Sequence, residues 1–249
     1  MTAGDLALFA LAGLLGGAVN ALAGGAKLFV FPMLLASGLP PIVANATATI
    51  ALWPAQAPAA WAYRRRLGRD ARALAGRLLP ALAGAVCGAL ALIVSSEAAF
   101  VAIVPFFLVA AVVTVALGNR VGMLAARYLP RRRMAAVSGV LMFVAGFYGG
   151  YFGAGLGFLL VAALLAAGLP GIQDANAEKN LLAFLINTAA AVPLLLSGLV
   201  DGVAAAGVIV GGVAGGYLGA RFAQLLPELT MRIVIAGLGF VLTMAFLFG

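Results

Sequence analysis

The 249 residues are 65% hydrophobic and only 9% charged, with a mean hydropathy of +1.18, against roughly a quarter charged in an ordinary soluble domain. That composition excludes a soluble globule, which could not bury so much apolar surface, and the absence of any histidine removes the commonest general base, metal ligand and near-neutral proton carrier together. The net charge of +8 does not mark a nucleic-acid surface: thirteen of the fifteen cationic residues are arginines, most of them in two hydrophilic connections, the pattern that orients membrane helices.

Apolar runs recur from Leu6 almost to Gly249 and leave no stretch for a separate soluble domain, so the expected fold is one all-α integral membrane domain over 1–249. The stretch from Met1 to Ala12 has no Lys or Arg and carries Asp5, which argues for a retained first segment and against a secretory leader. Five apolar segments are expected before the basic connection 119–133, at 6–23, 28–36, 42–63, 74–94 and 98–117. Five more follow, at 134–152, 156–167, 181–197, 203–220 and 230–248. The lone Cys87 stands in an apolar run beside Gly84 and Gly88, where it is expected to pack as a small side chain without a chemical role.

The two sets of segments read as a duplication. LLASGLPPI from Leu34 matches LLAAGLPGI from Leu164, an offset of 130 positions, which also carries Gly25 onto Gly155 and Gly68 onto Gly198. One inserted residue later, Asn45 falls on Asn176, and Gly84 and Gly88 fall on Gly215 and Gly219. Repeat one is placed at 5–118 and repeat two at 134–249, joined by a cytoplasmic connection. Charge placement inverts between them: the connection with Arg64, Arg65, Arg66, Arg69, Arg72 and Arg77 corresponds to a turn around Asp201 that has no cation. Inverted-topology repeats predict this reversal, with both termini and the turns at Ser95 and Asp201 outside the cytoplasm.

The second segment of each half is too short to cross. About fourteen residues from Gly24 to Ser37 make roughly 21 Å of helix against a hydrocarbon core of about 30 Å. Glycines at Gly24 and Gly25, and at Gly153, Gly155 and Gly157, allow a broken-helix hairpin whose freed backbone groups face a cavity.

Polar side chains inside such segments carry a free-energy cost and are candidates for function, with helix–helix hydrogen bonding as the alternative. The first half offers Asn20, Lys27, Asn45, Thr47, Thr49 and Gln56; the second offers Asn176, Glu178, Lys179, Asn180, Asn187 and Thr188. Asn45, Thr49 and Gln56 share one helical face, Asn176, Asn180 and Asn187 repeat the spacing, and the two stripes are expected to meet between the halves. Amides, hydroxyls, a lysine and the backbone N–H groups near Gly24, Gly25, Gly153 and Gly155 form the donor set that an anion needs. Lys27 has snorkelling as its alternative, and Glu178 is expected to pair with Lys179 near a helix end. Gly84, Gly88, Gly211, Gly215 and Gly219 have small-xxx-small spacing and read as close packing, while Trp53, Trp61 and Tyr63 suit an interfacial aromatic belt, with too deep a position as the alternative for Trp53.

The stretches GGAVNALAGGAKLFVFPMLLASGLPPIVANATATIALWP from Gly16, AWAYRRRLG from Ala60, GFYGGYFGAGLGFLLVAALLAAGLP from Gly146 and ANAEKNLLAFLIN from Ala175 resemble the sulfite exporter TauE/SafE family over nearly the whole chain. Lys27 departs from the family pattern, which more often has glycine or a small apolar residue there. The resemblance implies a bacterial-type plasma-membrane transporter, not an enzyme, that exports a small sulfur anion such as sulfite, thiosulfate or an organosulfonate. The alternatives are a membrane-embedded sulfur-handling enzyme or an importer of a different small anion. The expected partners are that anion and the bilayer, with no nucleic acid, cofactor or metal. The substrate-binding set expected from these readings is Asn20, Gly24, Gly25, Lys27, Asn45, Thr49, Gln56, Gly153, Gly155, Asn176, Lys179, Asn180 and Asn187.

Overall fold

The computed structural model describes residues 3–23, 25–67, 71–128, 131–169 and 172–223, and every regular element among them is helical. In chain order these are α1 (Ala3–Ala23), α2 (Lys27–Ala36), α3 (Pro41–Leu52), α4 (Ala57–Tyr63), α5 (Ala71–Val94), α6 (Glu97–Tyr128), α7 (Arg131–Tyr151), α8 (Leu156–Ala166), α9 (Ile172–Leu196) and α10 (Gly202–Ala223). The expected segment at 230–248 lies outside the described residues.

The short helices α2 and α8 have the same ending. Gly38 (φ 86°) and Gly168 (φ 90°) sit in the left-handed region that glycine tolerates. The N–H of Leu39 reaches back to the carbonyl of Leu34 and that of Gly38 to Leu35, while Leu169 and Gly168 repeat both bonds to Leu164 and Leu165. This is the Schellman stop, and it gives the repeated LLAxGL string a physical reason: the leucines supply the carbonyls and the glycine supplies the conformation.

Two connections differ from the sequence expectation. The apolar run 42–63 is not one helix. Pro54 and Pro58 lack the N–H that a continuing helix needs, and the chain passes through a 3-10 turn, Pro54–Gln56, between α3 and α4. The basic connection expected at 119–133 is largely helical, because α6 runs on through Arg120 to Tyr128 and α7 already starts at Arg131. Hydropathy marks where a segment becomes polar, whereas helix termination needs a breaker, and the first one after Gly122 is Pro130.

Glycine carries the tightest helix crossings. On the α1–α10 interface, Gly211 and Gly215 lie against the backbone of Ala10 and Leu14, and Gly13 lies against Val208 and Gly212. On the α5–α7 interface, Gly84 and Gly88 meet the backbone of Phe143 and Phe147, while Gly146 and Gly150 meet Ala81 and Ala85. A Cβ at any of these positions would fall on a neighbouring carbonyl, so small residues let the helix axes approach where lipid supplies no hydrophobic drive.

The outward faces are apolar. Leu79, Leu90 and Val94 of α5, Phe106 of α6, Val140 and Val144 of α7, Leu196 of α9 and Val210 and Val213 of α10 are exposed, the last residue of α5 to 83%. Cys87 belongs to this outer face too: it is exposed beside Val86 on α5, not packed inside as its neighbouring glycines led us to expect. The segments 72–94 and 174–196 are each long and apolar enough to cross a bilayer. Trp61 is exposed at the end of α4 with the Arg64 guanidinium 3.8 Å from its ring centroid, as an interfacial residue would be. Trp53 does not belong to that belt, because its indole N–H donates inward to Thr188 Oγ1 at 2.8 Å.

Candidate functional site

A cavity of about 80 Å³ opens where α2, α3, α4, the α7–α8 turn and α9 converge. Its walls come from both halves of the chain, at positions 130 or 131 residues apart as the expected duplication pairs them: Ala26 and Leu156, Lys27 and Gly157, Thr49 and Asn180, Leu52 and Ala183, Gln56 and Asn187. The N-terminal ends of α2 and α8 both border it, directing two helix dipoles of positive sign toward the space.

Lys27, the first residue of α2, is 7% exposed. Its Nζ donates to Thr49 Oγ1 at 2.5 Å and lies 5.9 Å from the centre of the Phe152 ring. Thr49 gives its own hydrogen to the Asn45 carbonyl at 2.9 Å, so its hydroxyl offers Lys27 a lone pair and fixes the ammonium in place. In this position the ammonium is held inside the protein and does not extend along its outer surface.

The amides opposite are oriented by the same logic. Asn187 Nδ2 donates to the Ala183 carbonyl at 2.9 Å and to Gln56 Oε1 at 3.0 Å. A backbone carbonyl only accepts, so Asn187 must turn its NH₂ toward it; Gln56 then has to offer its oxygen to Asn187 and keeps its own NH₂ available. The two polar stripes therefore meet through a hydrogen bond between equivalent residues. Lys179 and Asn180, in the third turn of α9, complete the polar wall.

Lys27 and Lys179 are the only lysines in the chain, and both line this cavity. Among the described residues, no carboxylate lines it or pairs with either lysine. Glu178 does not take the partner expected for it. Its carboxylate is buried and gripped in two-pronged fashion by Arg77 of α5, through Nε to Oε1 and through Nη2 to Oε2 at 2.8 Å. Arg77, one of the arginines expected to set topology, differs from the others in standing inside the apolar run 74–94.

Other expected site residues lie apart. Asn45 is fully buried, with Nδ2 on the Tyr151 carbonyl at 2.8 Å and Oδ1 without a partner, so it ties α3 to the end of α7 rather than lining the cavity. Asn176 is half-buried near the start of α9 and does not border the space. Gly153 lines it, while Gly25 and Gly155 are buried in the turns just behind. Gly24 and the side chain of Asn20 fall outside the described residues. Thr47, two residues from Asn45 and from Thr49, accepts the Asp201 N–H at 2.9 Å and anchors the start of α10.

On the side of Phe152, which the Lys27 ammonium faces, aromatic rings pack toward the Ser95 turn. Phe31 stacks edge-on against Phe152 at 5.5 Å and Phe100 at 6.2 Å, Phe107 lies 5.8 Å from Phe152, and Tyr151 reaches Ser95 Oγ at 3.1 Å.

Helices with apolar outer faces around a small cationic cavity have the build of a membrane transport protein. The chain belongs to the sulfite exporter TauE/SafE family, a family of membrane transporters whose model matches residues 9–246, nearly its whole length. No curated protein and no solved structure is significantly similar to it.

Proposed function

We propose that the chain exports a small sulfur-containing anion, within the range of sulfite, thiosulfate and organosulfonates, through the cavity between its halves. The observation that carries this reading is the pair of lysines, Lys27 buried and Lys179 half-buried, facing one polar space with no carboxylate among the described residues to neutralise them. Lone cations at such depth are costly, and an anion that enters relieves that cost. Lys27 and Lys179 supply charge; the Gln56 and Asn180 amides and the helix N-termini at Lys27 and Leu156 supply donors; Thr49 holds Lys27.

We read the architecture as two inverted repeats with the cavity on their pseudo-twofold axis. The pairing of lining positions supports this, as does the exchange of partners in which α1 packs on α10 and α7 on α5. In this reading the ends of α5 and α10 at Ser95 and Asp201 are external, with the termini, and the cavity opens toward the cytoplasmic ends of α4 and α9. Single cysteines at Ser95 and Asp201 in a Cys87→Ala background are expected to react with impermeant thiol reagents from outside, and labelling of Asp201→Cys from the cytoplasm alone would contradict the inverted arrangement.

Transport itself is tested in proteoliposomes loaded with sulfite, thiosulfate or a sulfonate, measuring release with and without an ion gradient. Release of at least one above protein-free vesicles is expected, and it should fall in Lys27→Gln. A leak equal to that of empty vesicles for the whole panel would remove the proposal.

A further inference from the structure

We infer that the cavity is built for a compact, doubly charged oxyanion and discriminates against singly charged sulfonates, with Lys179 supplying the second charge. The inference rests on the reading of this cavity as the anion site. It narrows the substrate by charge and size.

The charge argument starts from what surrounds the lysines. Among the described residues the partners of Lys27 are neutral, the Thr49 hydroxyl and the Phe152 ring, and Lys179 has no carboxylate partner. The nearest acid in sequence, Glu178, is committed to Arg77 by two hydrogen bonds and so does not offset Lys179. An occupant with one negative charge leaves one ammonium uncompensated in a low-dielectric site; an occupant with two leaves none. The positive ends of α2 and α8 act in the same direction.

Size and hydrogen-bond polarity agree. About 80 Å³ suits a compact ion, whereas a drug-sized ligand needs a pocket of roughly 300 Å³ or more, so an aromatic or long aliphatic group on a sulfonate would have to extend out through the mouth of the cavity. The wall presents mostly donors: two ammonium groups, the Gln56 NH₂ left free by the Asn187 bond, and the Asn180 amide. Thr49 has spent its hydrogen on the Asn45 carbonyl. An ion with oxygens on every side satisfies such a wall, and a methyl or larger group in place of one oxygen leaves a donor unmatched.

Sulfate and methanesulfonate make the test, since both are tetrahedral and fully ionised at neutral pH and differ by one oxygen and one charge. Purified full-length protein is titrated with sulfate, sulfite, thiosulfate, methanesulfonate and benzenesulfonate, following the thermal midpoint and the heat of binding. The tightest of sulfate, thiosulfate and sulfite, titrated at about pH 8.5 so that sulfite too is chiefly the dianion, should bind at least about tenfold more strongly than methanesulfonate, and benzenesulfonate should be weaker still. In Lys179→Gln the dianion preference should shrink to about threefold or less, with Lys179→Arg keeping part of it. Methanesulfonate binding as tightly as the best dianion overturns the charge inference while leaving the site in place, and this comparison needs no variant to fold. An unchanged preference in folded Lys179→Gln also overturns it. Dianion affinity unaffected by both Lys27→Gln and Lys179→Gln moves the anion elsewhere and removes the site reading together with the inference.

Discussion

The third segment of the first half is interrupted, and its counterpart in the second half is not. α3 stops at Leu52 and α4 resumes at Ala57, whereas α9 runs unbroken through Ile172–Leu196, with Leu185 and Ala189 where the first half has Pro54 and Pro58. Despite the break, the two segments bring equivalent residues to the cavity: Thr49 and Asn180, Leu52 and Ala183, Gln56 and Asn187. What has diverged is charge. Lys27 stands opposite Gly157, and Lys179 corresponds to Ala48. Residues at the same sequence offset arrive at the same cavity, and the differences between the two segments decide what chemistry arrives there. Each half contributes one cation, from a different helix position, and neither half alone holds both.

The same contrast appears one residue along. Thr47 and Glu178 are equivalent, and each ties its helix to a neighbour: Thr47 to the N–H of Asp201 at the start of α10, Glu178 to Arg77 on α5. One tie is a neutral hydrogen bond and the other a buried ion pair, so their removal should differ. Glu178→Ala leaves a largely buried guanidinium unpaired and is expected to cost about 3–5 kcal/mol, while Thr47→Val should cost about 1–3 kcal/mol for a backbone donor left unsatisfied. Unfolding midpoints of the two variants check this; equal losses would mean that the ion pair is no more than a hydrogen bond in this setting.

The glycine crossings test whether the halves are mechanically alike. Gly84→Leu on α5 and Gly211→Leu on α10 each drive a side chain into a facing carbonyl, of Phe143 in one case and Ala10 in the other. Each should destabilise by about 3 kcal/mol, the upper part of the range for overpacking. The readout is the thermal midpoint and the yield of monodisperse protein, and a crossing that tolerates leucine while the other does not would break the equivalence.

The sequence made some of this legible and hid the rest for identifiable reasons. Lys27 stood out because a charge in an apolar run has few solutions, and Gln56, Asn180 and Asn187 because polar residues at helical spacing share a face. The Gly-terminated stops of α2 and α8 were visible as a repeated string. Partner choice was not visible: that Glu178 turns to Arg77 and not to its neighbour Lys179, or that Asn45 turns to the Tyr151 carbonyl, depends on which helices pack together. Hydropathy also misled twice, merging α3 with α4 across Pro54 and stopping α6 at its polar end, because polarity and helix termination are separate properties.

Affinity tests whether the two cations contribute alike. Lys27→Gln is expected to weaken binding of the best dianion by about 1–3 kcal/mol, the range for removing a charged donor from a buried site, and Lys27→Arg should retain part of it, since charge survives while geometry changes. Thr49→Val, which removes the acceptor that fixes Lys27, should weaken binding less, with Thr49→Ser close to the parent. Calorimetric titration distinguishes these. A Lys27→Gln protein that folds and binds unchanged would assign the whole electrostatic role to Lys179.

The smallest expected effect sits where the halves touch. Gln56 and Asn187 are equivalent residues bonded to each other at 3.0 Å, so their coupling bears on whether the contact is packing glue or part of the anion site. Double-mutant cycles across membrane helices average about 0.6 kcal/mol for such bonds, and Gln56→Ala combined with Asn187→Ala should show a coupling of that order in the ligand-free protein. The bond also orients Gln56 so that its NH₂ is left for an anion; losing Asn187 should therefore weaken anion binding even though Asn187 has committed its own donors to Gln56 and the Ala183 carbonyl. With saturating dianion the coupling should rise above its ligand-free value, because an oriented Gln56 then serves two partners at once. A coupling that is the same with and without the anion would make this pair a structural fastening between the halves, and the recognition chemistry would fall to the lysines and Asn180.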